Sequence, residues 1–294
     1  MKNIGWLFLP AVLLLSACQK GKEKPAAQQA SPAFDAQRNA FFGNLKNPSE
    51  TAIHLQAIVP EFNPDLINSP KQFTLYTYNP VKASANLGIY LSDLNYSIAY
   101  QQDLFTTELF SASYELSKVV GVERNILDFL KNRYNENLSR KDSVKAVVET
   151  LFDKSTAGLK GTERERFVGI AMVAYQIENL HLALGLIEST AENTHPDDAH
   201  AKALVAIYGM VAAQKINLEI TYRFLQSITD LTDPDKNPNY PYYTSALKSL
   251  IEVYRRLDME GKLAGHQNIT LMSEDIKELI INVDAVRNKI ISEV

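Results

Sequence analysis

The sequence has a single cysteine, Cys18, in 294 residues, so no intramolecular disulfide can form and packing alone must hold the fold. It also lacks an excess of positive charge. Its 30 Lys and Arg stand against 34 Asp and Glu, a net charge of −4, which argues against a nucleic-acid partner because phosphate binding needs clustered basic side chains. Motifs for nucleophilic or metal-assisted chemistry are missing too: there is no Gly-x-Ser-x-Gly, no His-Glu-x-x-His and no glycine-rich phosphate loop. These gaps leave an enzyme without support and no cofactor expected, although catalytic groups that converge from distant segments leave no such signature.

What is present begins at the N-terminus. Lys2 supplies a short positive region, Ile4 to Leu15 an apolar run, and the small residues Ser16 and Ala17 precede Cys18. This order predicts a signal peptide over 1–17, cleaved between Ala17 and Cys18. The run is shorter than the roughly 20 apolar residues that cross a bilayer.

Leu15-Ser16-Ala17-Cys18 resembles the lipobox of bacterial lipoproteins. The resemblance implies that the Cys18 sulfur carries a diacylglycerol and the new amino group a fatty acid such as palmitate, so that membrane lipid is the first partner. Each chain contributes about 0.8 kcal/mol per buried methylene, and two or three together make a stable anchor where one alone is marginal. Gln19 follows in place of the aspartate that holds enterobacterial lipoproteins at the inner membrane, which implies the outer membrane. Cys18-Gln19-Lys20 is also similar to the start of a surface-export tag of Bacteroidetes lipoproteins, but Gly21 and Lys22 stand where that tag is acidic. Periplasmic and surface faces both stay open.

Residues 18–33 read as the lipidated cysteine and a flexible tether. Gln19 to Ala33 is rich in Lys, Ala, Gln and Pro and has no aromatic or β-branched residue to pack. Stretched, such a segment spans about 50 Å at roughly 3.3 Å per residue, enough to lift a folded body clear of the headgroups.

Residues 34–294 read as one all-helical domain. Leu87, Leu91, Leu94 and Ile98 recur at helical spacing, as do Val144, Val147, Val148, Leu151 and Phe152, and Ile276, Leu279, Ile280, Val283 and Ile290. Helix starts are expected at Asn79-Pro80, at Ser139 with Asp142, at Thr162 with Glu165 and at Ser273, and a helix end at Gly121. Only Phe73 to Tyr78 has strand-like composition, too isolated to build a sheet. "NLGIYLSDLNYSIAY" from Asn86 is similar to a segment of helical Bacteroidetes lipoproteins with no assigned activity, which supports location and fold rather than chemistry.

Three segments resemble one another, from Ala99, Ala174 and Ala212. The last two align without gaps at a spacing of 38 residues, pairing Gln176 with Gln214 and Asn179 with Asn217. Such a period suggests degenerate tetratricopeptide-like repeats, stacked antiparallel helix hairpins with turns at Asn179 and Asn217 and small residues such as Ala171, Ala174 and Ala183 at close crossings. The usual tryptophan and most signature tyrosines and glycines are absent. A multi-helix bundle of continuous helices is the alternative.

Candidate site residues fall into two sets. Tyr90, Tyr96 and Tyr100, with the dense cluster Tyr240, Tyr242 and Tyr243, are candidates for partner contact, since tyrosine offers large area with a polar tip; packing onto neighbouring helices is the alternative. Weak metal candidates are the two Glu-x-x-His spacings, Glu178 with His181 and Glu192 with His195, then His200, and Asp233 with Asp235. The Glu-x-x-His pairs lie about 21 Å apart along one helix and form no shared site. His181 falls on the apolar stripe of Phe167, Ile170, Ala174, Ile177 and Leu184 and reads as a partly buried packing residue. Asp233 opens a calcium-loop pattern, but Pro238 replaces its glycine and Thr244 its final glutamate, which fits a proline-rich turn better. The sequence thus favours a lipid-anchored helical scaffold or binding module for an envelope protein or peptide. The alternative is an envelope enzyme, a hydrolase or metal-dependent bundle, with Glu178, His181, His195 or His200 converging in a pocket.

Overall fold

Every regular element in the described residues is helical. A computed structural model describes residues 32–44, 49–137, 141–192, 198–229, 240–264 and 269–292. Ala17, Cys18, the tether up to Ser31, Ser139, His195, Asp233 and Asp235 lie outside them. The helices are α1 (Pro32–Asn44), α2 (Glu50–Ile58), α3 (Pro80–Ala99), α4 (Asp103–Val120), α5 (Arg124–Asn137), α6 (Lys141–Leu159), α7 (Glu165–Glu192), α8 (Asp198–Thr229), α9 (Tyr240–Leu257), α10 (Met259–Ala264) and α11 (Ile269–Ile291). Two 3-10 turns, Pro64–Leu66 and Pro70–Tyr76, bridge α2 to α3. The strand-like Phe73 to Tyr78 therefore lies mostly in a 3-10 turn, because with no partner strand its backbone bonds can only close locally.

Helix α3 starts where the sequence says it should. The Asn79 side chain accepts from the N–H groups of Val81 and Lys82, and Pro80 occupies the first turn, so the orphan donors of a helix start are met. What the sequence pattern understates is its burial. Leu87, Leu91, Leu94 and Ile98 are buried, and so is nearly every other residue of α3, including Ser84, Asn86, Ser92, Asp93, Asn95 and Ser97. Burying hydroxyls and amides is tolerable only when they are bonded. Ser84 donates to the Phe167 carbonyl, Asn86 to Ile290, Ser92 to Asn179 and Asn95 to the Tyr175 hydroxyl.

These bonds fix the layout. Ser84 to Phe167 and Ser92 to Asn179 advance together, so α3 runs parallel to α7. Gln176 to Thr221 and the packing of Gly169 on Phe224 and Leu225 place α8 antiparallel on a second side of α7. His181 to Asp284 and Glu178 to Arg287 place α11 antiparallel on a third. Over Glu165–Ser189 α7 is apolar and long enough to cross a membrane, but most of that stretch is buried inside the body, as suits a core helix that is hydrophobic all round. Where α3 crosses α7 the backbones nearly touch: a Cβ on Gly88 would sit 2.0 Å from the Ala171 carbonyl oxygen. The small residue Ala171 is thus at a close crossing.

The stacked hairpins turning at Asn179 and Asn217 do not form. Asn179 lies inside the continuous helix α7 and Asn217 inside α8, as in the bundle alternative. Asparagine turns a chain when its side chain has only local backbone to bond; here Ser92 bonds Asn179 and Asn44 bonds Asn217 from other helices. Likewise Ser273 does not begin α11, which already starts at Ile269.

Other ends match expectation. Thr162 Oγ1 accepts from the Arg164 N–H at 3.1 Å, and the Glu165 carboxylate accepts from the Gly161 N–H. Gly121 ends α4 at φ +98°, with its N–H and that of Val122 both 3.0 Å from the Ser117 carbonyl. The Arg164 guanidinium fills the space beside it and donates to the Val120 carbonyl at 3.0 Å. Gly121→Ala is expected to cost about 1–2 kcal/mol through left-handed strain, aggravated by displacement of Arg164. The loss should show as a lower urea midpoint at unchanged slope, and an unshifted midpoint would contradict the cap.

Candidate functional site

Most of the expected contact tyrosines are not on the surface. Tyr90 and Tyr96 are fully buried, and Tyr100, Tyr240 and Tyr243 nearly so; Tyr242 is partly buried. Their hydroxyls explain it. Tyr90 donates to the Ser69 carbonyl at 2.9 Å, Tyr100 to Val59 at 2.7 Å, and the Asn63 N–H donates to Tyr96. This trio staples the irregular 59–69 segment onto α3, with Phe62 packed among Tyr96, Tyr100 and Phe105. Tyr240 reaches the Leu225 carbonyl and pins the start of α9 to the end of α8. The packing alternative is the one realised, because a buried phenol that can meet a backbone carbonyl stabilises more than one left at a rim.

The open polar surface lies elsewhere, in a cleft of about 260 Å³ between α2, α7 and α8. Its floor is Tyr175, Gln176, Asn179 and Thr221, each at most 5% exposed. Gln214 and Asn217 form one wall, Phe152, Met172 and Met210 an apolar patch, and Asn44, Glu50 and His54 the rim. The Gln176/Gln214 and Asn179/Asn217 pairs of the internal similarity therefore meet in one place, brought together by the antiparallel packing of α7 on α8.

The carboxamides hold one another. Asn44 Nδ2 donates to Asn217 Oδ1 at 2.8 Å, and Asn217 Nδ2 to Gln214 Oε1 at 3.0 Å. Gln176 Nε2 donates to Thr221 Oγ1 at 2.8 Å and to the Asn217 carbonyl at 3.3 Å. Both of those partners require a donor or tolerate one, so the Gln176 amide is fixed with its oxygen the other way, and Oε1 meets no donor among the described residues. Burial pushes the Tyr175 phenol up to about 12, so it remains a neutral hydroxyl. Among the described residues no lysine or arginine lines the cleft.

Where α7 meets α3 and α11, starting one residue before Asn179, is a buried charge cluster. Glu178 is fully buried and receives Arg287 through two bonds, Nε to Oε2 at 2.6 Å and Nη2 to Oε1 at 2.9 Å. Asp93, also fully buried, accepts the Asn68 N–H through Oδ2 at 2.9 Å. Burial first, and the Glu178 carboxylate second, push Asp93 well above the usual carboxylate range; Arg287 and the Asn68 N–H pull it back only in part. No donor reaches Asp93 Oδ1, yet Glu178 is a hydrogen-bond partner for it. The two facts agree if Asp93 carries the proton and Oδ1 is the donor. Burial alone would lower Arg287, but Glu178 and then Asp93 outweigh it and hold its pKa above the ordinary value.

A raised folded pKa contributes stability that is complete below the unfolded value, about 3.9, and is lost as pH climbs through the folded value. Asp93→Asn keeps both bonds, Oδ1 to Asn68 and Nδ2 to Glu178, at any pH. Thermal melts from about pH 5 to about pH 8 should therefore show wild type losing stability relative to Asp93→Asn as pH rises. Parallel profiles would remove the proton from Asp93.

Among the described residues the metal candidates do not assemble. Glu178 and His181 share one face of α7, but Glu178 is engaged by Arg287, and His181 Nδ1 lies 2.9 Å from Asp284 Oδ1 with its side chain 18% exposed. Among the described residues no group of three His, Cys, Asp or Glu could hold a metal ion. His200 sits on α8 with no side chain described, and His195, Asp233 and Asp235 fall outside. Sequence reading missed Asp93, Asp284 and Arg287. The only signal for the first is that Asp93 is the one acid in α3; the α11 residues look like any amphipathic surface.

No family model matches this chain, and no curated protein or solved structure matches it.

Proposed function

We propose that this protein is a bacterial envelope lipoprotein, anchored in the outer membrane through acyl chains on Cys18, whose helical body is a binding module for an envelope protein or peptide. The lipobox-like Leu15-Ser16-Ala17-Cys18 and the packing-poor tether support the anchoring. The binding role rests on one observation: an open cleft whose floor and wall are built of mutually bonded carboxamides. The carboxylates of the charge cluster support no catalytic reading, because Glu178 is fully buried and already paired.

Ala213 is exposed and lines the cleft, which makes it a probe position. A photoreactive phenylalanine derivative placed there in the anchored protein in cells is expected to give one discrete light-dependent adduct. The same group at exposed Leu104, outside the cleft, should not. Silence at position 213, or the same adducts from both positions, counts against a binding module.

A further inference from the structure

We infer that the open side of α8 is the meeting surface for a second copy of this chain, the two α8 helices packing antiparallel about a two-fold axis beside Gly209. The inference adds a partner to the binding role proposed above and does not depend on what the cleft takes.

Helix α8 is long and apolar over Ala201–Ile228, as α7 is over its own length, yet most of it is not buried inside the body. Three of its sides are taken. Gln176 of α7 donates to Thr221, Tyr254 of α9 donates to the Val211 carbonyl at 2.9 Å, and Phe41 of α1 stacks on Phe224. The fourth side is open among the described residues. Val205, Gly209 and Ile216 recur there at four and seven residues, which places them on one face. Val205 is 41% exposed and Ile216 59% exposed. A Cβ built on Gly209 meets nothing within 4 Å, so another backbone can come close at this point.

Charge names the occupant. Asp198 opens α8 and Lys202 follows one turn later, while Glu219 and Arg223 close the stripe. The stripe therefore reads acid, base, an apolar centre, then acid and base again. Parallel copies would set like charge on like. One antiparallel register sets Asp198 against Arg223, Lys202 against Glu219 and Val205 against Ile216 at once, because the members of each pair lie equally far from the midpoint between Met210 and Val211. Opposite charges along such a seam favour this pairing and reject the parallel one.

Neighbouring charges fit the same arrangement. Glu219 accepts from Arg223 of its own copy and from Arg255 of α9, both at 3.1 Å, which leaves that end with one cation more than acid for Asp198 to meet. Lys215 lies off the seam, 3.9 Å from Glu260 of α10. An anionic lipid surface is the competing occupant, and it would meet two acids in the stripe.

The test is thiol cross-linking of the acylated protein in the membranes of cells that make it, with one cysteine added at a time. Antiparallel pairing brings position 209 within about 4–5 Å of its own copy along the axis and separates 216 from its own copy by about 16 Å, while 205 of one copy meets 216 of the other. With a bismaleimide shorter than the larger separation, Gly209→Cys should give dimers and Ile216→Cys alone should not. Co-expressed Val205→Cys and Ile216→Cys should give the mixed dimer. Leu104→Cys, exposed on α4, sets the level of chance collision. Gly209→Leu has open space within one copy; it should abolish the mixed dimer while circular dichroism of the purified protein stays helical. Dimers from Ile216→Cys alone would mean a parallel pair, no enrichment over Leu104→Cys would mean lipid or another cover, and a mixed dimer indifferent to Gly209→Leu would mean chance contact; each overturns the inference. Dimers of the unsubstituted protein would come from a free Cys18 and count against the anchor, with the pattern above that baseline still deciding the α8 pair.

Discussion

Gly88→Ala is expected to destabilise the protein by about 3 kcal/mol or more, against the sign that helix propensity alone predicts. In an exposed helix interior, alanine is favoured over glycine by up to ~1 kcal/mol. At position 88 the new methyl would lie 2.0 Å from the Ala171 carbonyl oxygen and 2.9 Å from the Tyr175 nitrogen, and both are backbone atoms of α7. No rotamer change relieves that contact; α3 and α7 must move apart. Helix α7 cannot yield freely, because α8 and α11 pack on its other sides through Gln176 and Glu178. Overpacking a well-filled core costs about 1–3 kcal/mol even where side chains can adjust, and a loss of this size is a large share of the 5–15 kcal/mol that holds a typical domain together. Gly209 is the internal control. It lies within α8 with nothing inside 4 Å of a built Cβ, so Gly209→Ala should stabilise by up to ~1 kcal/mol. Urea midpoints moving in opposite directions would establish the crossing, and equal shifts would refute it.

Arg287→Met is expected to cost a comparable amount, about 3–5 kcal/mol, the usual penalty for breaking a buried ion pair from one side. The reason is what stays behind. Glu178 would be fully buried next to Asp93 with no cation, and one of the two carboxyl groups would have to remain protonated at neutral pH. Removing both charges should largely repair the damage: Glu178→Met combined with Arg287→Met is expected to recover most of the loss, since apolar replacement of a whole buried pair is often neutral or better. If the double variant is no more stable than Arg287→Met alone, the pair contributes something other than mutual neutralisation.

The same pair shows why α11 belongs to the core. Besides Arg287, the C-terminal carbonyls of α11 are received by Tyr76, which donates to Ile291 at 3.1 Å, by Asn86, which donates to Ile290 at 3.2 Å, and by Lys82, which reaches Ser292. These meet the orphan acceptors of a helix end. Lys82 does so as a cation against the negative end of the helix dipole, although burial and then Lys289 lower its pKa.

How much of this was legible in the sequence varies with where the deciding contact lies. The all-helical class was readable because period, caps and stops are local: Asn79, Thr162 and Gly121 each act within a few residues of themselves. The depth of α3 was only half readable. Its leucine stripe marked one buried face, whereas Ser84, Ser92, Asn95 and the others are buried because α7 and α11 supply their partners, and nothing in the α3 sequence announces those. Asn179 and Asn217 were noticed through the 38-residue similarity and then misread as turns, since the side chains that keep them helical come from Ser92 and Asn44. The tyrosines failed in the same way. Density of aromatics does not distinguish a displayed cluster from a staple; the backbone carbonyls of Ser69, Val59 and Leu225 decided it.

Everything functional in this account presumes a body tied to lipid, and the mass of the mature N-terminal peptide measures that tie. After purification from membranes and proteolysis, the first peptide is expected to begin at Cys18 and to carry a diacylglyceryl group on sulfur together with an amide-linked fatty acid. A peptide that begins at Cys18 with an unmodified thiol, or one that still contains residues 1–17, would contradict it.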